Sequence, residues 1–210
     1  MNAGLNARVQ RLDLGGIGSC QWSDTTETSM TLIMCDLSGS TTRLTGLPAY
    51  DIATALLNFY NACSAQLEQS HGRVVRYAGD AVMAVFDDDA SANERATRAV
   101  TAATSIEHRL QKDLSVTTAG PYSRTSVVTG TGLRALLGTS NELIQEVIFG
   151  ELPFLANRLQ GLAPPGGVVL CDRTVQLLPN SPKLETLGLV PLRGITVPRK
   201  AWIVNTETAP

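Results

Sequence analysis

The chain has 210 residues, 43% hydrophobic and 17% charged, an ordinary composition for one globular domain with a well-buried core. Its formal net charge of -2 gives no electrostatic case for nucleic acid or an anionic membrane as a bulk partner. No stretch approaches ~20 continuous apolar residues, no basic-then-apolar leader opens the chain, and Cys20, Cys35, Cys63 and Cys171 are too scattered for a zinc or disulfide framework, so a reduced cytoplasmic protein without a membrane anchor is expected.

Residues 1–28 are rich in Gly, Ser, Thr and Asn and read as an N-terminal extension, with at most a short element around 9–14. The apolar run 30–35 predicts a buried strand, ended by Asp36 and the small polar stretch 37–42. Leu56, Leu57, Tyr60, Cys63, Ser64 and Leu67 recur at helical spacing and predict a helix over 49–70, with Pro48 at its first turn and His71-Gly72 as its stop. Two runs, 73–77 and 81–86, flank Ala78-Gly79-Asp80 and predict a hairpin with an acid at its tip. A second amphipathic helix is expected over 91–111 and a strand over 123–130. The region 131–149, with glycines at 130, 132 and 138, predicts a turn, a short strand and a loop before Val147-Ile148-Phe149. A third helix, 151–162, ends before Pro164-Pro165-Gly166-Gly167, and a strand follows over 168–171. The tail, 183–204, reads as two strands around Gly188, with Arg193-Gly194 at a turn between them. Strands and helices interleave without a strict βαβ repeat, which predicts an α+β fold: a mixed or antiparallel sheet with helices mainly on one side.

The chemistry gathers at the two acids. An Asp at a strand end is usually a turn residue. Asp36 and Asp80 together, one followed by a loop with backbone N–H groups to offer and the other on a hairpin tip, suggest a shared cation site instead. Hard divalent ions such as Mg²⁺ or Mn²⁺ take oxygen ligands and share them with substrate phosphates, so the pattern points to metal-assisted chemistry on a nucleoside triphosphate.

The segments CDLSGST, GRVVRYAGDAVMAVF, FGELPFLANRLQGLAPPGGVVL and LGLVPLRGITVPRKAWIV stand in the order of the class III nucleotide cyclase catalytic domain. The chain resembles that family over roughly 29–204, with the catalytic domain taken as 29–207, and is similar to the stand-alone bacterial pyrimidine cyclases of anti-phage signalling. The resemblance implies a ferredoxin-like core and a homodimer with its active sites at the interface, where a monomer is inert. It implies two divalent cations, Mn²⁺ or Mg²⁺, on Asp36, Asp80 and the Leu37 carbonyl. The amides of Ser38, Gly39, Ser40 and Thr41 would hold the β- and γ-phosphates. Arg158, from the other chain, would stabilise charge at the α-phosphate in the transition state. Arg193 stands where the family places a basic residue on the triphosphate, or is a plain turn arginine.

Three positions depart from the commoner pattern. Phe154 replaces the asparagine that orients the ribose, so either Asn157 substitutes, or the ribose is held differently, or the domain is slow or inactive. Arg76 and Val147 occupy the base-selecting positions. Arg76 only donates hydrogen bonds and Val147 makes none, a pair suited to the carbonyl oxygens of uracil, or to O2 and N3 of cytosine. Tyr50 either narrows the base pocket or is a helix-start aromatic. The expected activity is cyclisation of a pyrimidine nucleotide, UTP to cyclic UMP ahead of CTP to cyclic CMP, in antiviral second-messenger signalling. An adenylate cyclase making cyclic AMP is one alternative, and a degenerate cyclase-like binding module is another.

Overall fold

A computed structural model describes residues 10–12, 20–112, 122–138, 145–179 and 183–204. Strand β1 (Gln10–Leu12) pairs with the start of β2 (Cys20–Leu37), which leads into the short helix α1 (Ser40–Leu44) and the long helix α2 (Ala49–Gln69). Strands β3 (Arg73–Ala78) and β4 (Ala81–Phe86) form the expected hairpin, turning through Gly79, whose φ of +61° suits a glycine. Helix α3 (Ala92–Lys112) starts behind a reciprocal cap: the Ser91 amide donates to the Glu94 carboxylate at 2.9 Å, and the Glu94 amide donates to the Ser91 hydroxyl at 3.3 Å. Strands β5 (Ser123–Gly138) and β6 (Gln145–Phe149), helix α4 (Glu151–Gln160), strand β7 (Gly167–Cys171), helix α5 (Asp172–Leu177) and strands β8 (Leu184–Val190) and β9 (Arg199–Val204) complete the described chain.

The sheet order is β3-β4-β2-β5-β7-β9-β8, with β1 beside β2 and β6 beside β5. Each of its first four strands is antiparallel to its neighbour, and α2 and α3 make the crossovers, giving the β-α-β-β-α-β arrangement of a ferredoxin-like core. Strand β7 then joins β5 in parallel. Alternation along β2 sorts the two faces. Ile33, Cys35 and Leu37 pack with Phe59, Cys63 and Leu67 of α2 and Ala99, Ala103 and Ile106 of α3, while α5 adds Val175 on the same side. Met30 and Leu32 face the other way, onto Leu152, Leu155, Ala156 and Leu159 of α4. Helices thus lie mainly on one side, and α4 covers the opposite one. Asp36 follows the parity of Leu32 and Met34, so it opens on the α4 face.

Several elements differ from the sequence expectation. Strand β2 begins at Cys20, within residues read from composition as an extension. There the strand is held by the antiparallel backbone ladder to β5, from Gln21 opposite Gly138 to Thr28 opposite Gly132. The turn expected after 130, at the start of the region 131–149, is absent, and β5 runs on to Gly138. A Cβ on Gly130 would lie 2.9 Å from Leu152 Cδ2, and one on Gly132 3.2 Å from Ile148 Cγ2, so these glycines admit close side chains instead of bending the chain. Helix α1 forms where the sequence predicts a small polar loop, and α5 where it predicts no element. The tail forms its two strands, with Gly188 at a bulge inside β8 and Arg193-Gly194 in the turn. The element expected at 9–14 coincides with β1 only at 10–12; residues 1–9 and 13–19, 139–144 within the region expected to hold a short strand and a loop, and 205–207 at the end of the predicted domain lie outside the described residues.

Candidate active site

Asp36 is the penultimate residue of β2 and sits opposite Ala81 of β4 on one side and Arg124 of β5 on the other. Asp80 is brought to it by the hairpin, and the Leu37 amide donates to the Asp80 carbonyl at 2.9 Å. The Ser40 hydroxyl donates to the Asp80 carboxylate, and the Tyr60 hydroxyl donates to the Gly79 carbonyl. Backbone pairing therefore fixes both acids, and one hydroxyl from α1 and one from α2 hold the hairpin tip that carries Asp80.

Burial raises the Asp36 carboxyl to a pKa of about 6, and the neighbouring Asp80 charge raises it further within that value. The Gln160 amide, donating to Asp36 Oδ2 at 3.3 Å, and the Arg124 charge pull in the opposite direction. Burial and the same Asp80 charge also raise the Tyr60 phenol. Two crowded carboxylates of this kind suit a divalent cation, which would neutralise their repulsion. Among the described residues no third His, Cys, Asp or Glu joins them, so a cation here would complete its shell from the Leu37 carbonyl, water and substrate phosphate.

The loop after Asp36 is already partly engaged. The Ser38 amide donates to the Tyr122 carbonyl at 3.0 Å, which removes it from the expected phosphate-holding set. The amides of Gly39, Ser40 and Thr41 stand at the head of α1, where a helix leaves N–H groups without internal partners. A groove of about 320 Å³ runs beside them, lined by Ser40, Thr41, Ile52, Leu56, Gly79 and Asp80.

A second cavity of about 330 Å³ lies on the α4 face and gathers Arg76, Val147 and Phe154, three residues separated widely in the chain. Asn157 lines it too, one helical turn from Phe154, together with Met34, Met83 and Ile148. Phe154 is 70% exposed, and Arg158 and Arg193 are exposed nearby, joined by a hydrogen bond from Arg158 Nε to the Arg193 carbonyl at 2.9 Å. Tyr50 is 81% exposed at the start of α2 and lines neither cavity.

Three residues here escaped the sequence reading. Arg124 is the cross-strand neighbour of Asp36, and its Nε is buried without a hydrogen-bond partner among the described residues. Glu146 lines the Arg76 cavity and is clasped by Arg73, whose Nη2 donates to Glu146 Oε1 at 3.0 Å and to Asp87 Oδ2 at 2.9 Å. Gln160 is 7% exposed and comes to Asp36 from 124 residues away. Arg73 and Arg124 stand at predicted strand starts, but no local pattern tells a site residue there from a surface one.

Residues 23–206 match the sequence pattern of the adenylate and guanylate cyclase catalytic domain. The chain belongs to that family. Its fold is that of the adenylyl cyclase CyaB from P. aeruginosa, with a TM-score of 0.76 over 87% of this chain and 96% of that one at 22% identity. The guanylate cyclase domain of RhGC from Catenaria anguillulae, solved in complex with GTP, is similar at a TM-score of 0.78 over 86% and 98% of the two chains, at 19% identity. Among curated proteins, an adenylate cyclase of Anabaena cylindrica is 26% identical over 171 residues, 77% of this chain. An uncharacterised protein of Rhizobium meliloti (strain 1021) is 27% identical over 182 residues, 82% of this chain. The cyclase domain described here spans 33% and 17% of the lengths of these two relatives. No helix among its described residues is long and apolar enough to cross a membrane.

Proposed function

We propose that this cyclase domain works as a homodimer that converts a pyrimidine nucleoside triphosphate, UTP ahead of CTP, into its 3′,5′-cyclic monophosphate. The ribose 3′-oxygen attacks the α-phosphorus, a new P–O bond forms, the bond to the β-phosphate breaks, and pyrophosphate leaves. Two divalent cations, Mn²⁺ or Mg²⁺, on Asp36, Asp80 and the Leu37 carbonyl would acidify the attacking hydroxyl and neutralise the leaving phosphates. Arg124 suits the triphosphate, because its buried Nε needs an acceptor and a phosphate oxygen provides one. The Gly39–Thr41 amides and Arg193 add donors to the same anion. Arg158 of the partner subunit supplies a guanidinium fork for charge developing at the α-phosphate. A role across the interface is consistent with its exposure and with the absence of an acidic partner among the described residues.

The observation that carries the base preference is the cavity shared by Arg76, Val147, Glu146 and Asn157. It sets a donor, Arg76, and an acceptor, Glu146, against apolar walls. Uracil presents a carbonyl oxygen next to an N–H, which matches that pair. Asn157 offers the ribose an amide where Phe154 cannot, and Tyr50 offers a ring to close the pocket across the interface. A product of this kind would serve as a second messenger, and its antiviral use is read from the sequence resemblance alone.

Glu146 also favours a second reading. Its carboxylate accepts equally from the amino group of adenine, and the Anabaena cylindrica relative is named as an adenylate cyclase. Incubation of the purified chain with Mn²⁺ and each nucleoside triphosphate separately, with cyclic products identified by mass, decides between the two. Cyclic UMP or cyclic CMP as main product supports the pyrimidine reading, and dominant cyclic AMP overturns it.

A further inference from the structure

Helix α4 has two working faces. Over its ten residues, Leu152, Leu155, Ala156 and Leu159 seat it against the sheet, and the Ser126 hydroxyl donates to the Ala156 carbonyl at 2.8 Å. Residues two apart on a helix are separated by about 200°. Arg158 accordingly faces solvent while Gln160 points inward, 7% exposed, and ends on Asp36 Oδ2.

Nothing in the cyclisation chemistry requires this amide. It neither reaches the base cavity nor lines the groove beside the phosphate-holding loop. Its Nε2–H occupies one oxygen of the Asp36 carboxylate, whose other close side-chain neighbour is the Asp80 carboxyl. A carboxylate with one oxygen pinned by a neutral donor keeps its charge and presents the remaining lone pairs in one direction. That is the arrangement by which outer groups orient a metal-binding side chain.

We infer that Gln160 is a positioning residue for Asp36, holding its carboxylate in the orientation that receives a divalent cation. The inference rests on the reading of Asp36 as a cation ligand. It also makes α4 a single body carrying two tasks, Arg158 for one site on its outer face and the orientation of Asp36 on its inner face.

The test is direct Mn²⁺ binding to the metal-free full chain without nucleotide, followed by the electron paramagnetic resonance signal of free Mn²⁺. Wild type is expected to bind, and Asp36→Asn to lose binding. Gln160→Met, which fills the space without donating, is expected to weaken Mn²⁺ about tenfold or more. Gln160→Leu is the second variant, with the same expected weakening, should Gln160→Met fold poorly. Thr174→Ala serves as the structural control. Thr174 is buried and hydrogen-bonded to the Val127 carbonyl and Thr129, remote from Asp36, so its loss lowers the melting temperature while Mn²⁺ affinity stays at the wild-type value. If wild type binds Mn²⁺ and Asp36→Asn does not, but Gln160→Met binds within twofold of wild type, the inference is overturned and the cation site stands. If wild type itself binds no Mn²⁺, the cation site falls and the inference falls with it. Equal weakening in Thr174→Ala would assign the effect to lost stability, and would also overturn it.

Discussion

Replacing Asp36 with asparagine should stabilise the metal-free protein at alkaline pH while removing its response to metal. The folded structure raises this carboxyl from 3.8 to about 6, through burial first and the Asp80 charge second. A shift of that size corresponds to about 3 kcal/mol of cost for the charged form. Asp36 is only half-buried, and solvent screening reduces the figure to about 1 kcal/mol. The sign follows from linkage: a carboxyl raised on folding contributes its stability fully below pH 3.8 and loses it as the pH climbs through about 6. At pH 8 in a chelator, Asp36→Asn should therefore melt about 2–4 °C above wild type for a chain of this size. The gap should close toward pH 4, where wild-type Asp36 is protonated in the folded state. Adding Mn²⁺ at pH 8 should raise the wild-type melting temperature past that of the variant, which has lost the charge and gains nothing. Thermal unfolding followed by circular dichroism across this pH range is the assay. A variant no more stable than wild type at pH 8 without metal would refute the claim that burial and the Asp80 charge disfavour the ionised Asp36 in the folded state.

Wild-type affinity for Mn²⁺ should fall as pH drops through about 6, because the proton competes for Asp36; titration of Mn²⁺ at pH 5, 6, 7 and 8 gives the profile, and a flat one removes Asp36 from the ligand set. Asp80→Ala and Arg158→Ala should each abolish cyclisation, yet mixing the two chains should restore part of it, since one site of the mixed dimer keeps both groups. Subunits that exchange but stay inactive together would take Arg158 out of the cross-interface role. Arg124→Met should lower kcat/KM by about 10- to 100-fold, the range for losing a hydrogen bond to a charged group, with the circular dichroism spectrum unchanged. Gly130→Ala forces a methyl to within 2.9 Å of Leu152 and should cost about 1–3 kcal/mol in denaturant unfolding, whereas a neutral result would mean that α4 moves aside freely.

The sequence alone determined the parts of this protein that depend on neighbours in the chain. The periodicity of Leu56, Tyr60, Cys63 and Leu67 marks α2, and Gly79 marks the hairpin tip that carries Asp80, because helix faces and tight turns are set by residues a few positions apart. The four cyclase segments are legible for the same reason, each being a short block whose residue types reflect one local task. The tertiary structure decided what depends on register and packing. Composition suggests an extension for residues 20–28, yet they pair with β5 through backbone groups that leave no hydrophobic pattern to read. Gly130 and Gly132 resemble turn residues until Leu152 and Ile148 are seen to press on them. Arg124 reaches the site only through antiparallel register, Glu146 only through the folding of β6 toward Arg73, and Gln160 only because α4 lies on the face where Asp36 opens. A hydrogen bond between residues 124 positions apart imposes no spacing on the chain, and so it is visible only once α4 has been packed on the face of the sheet where Asp36 opens.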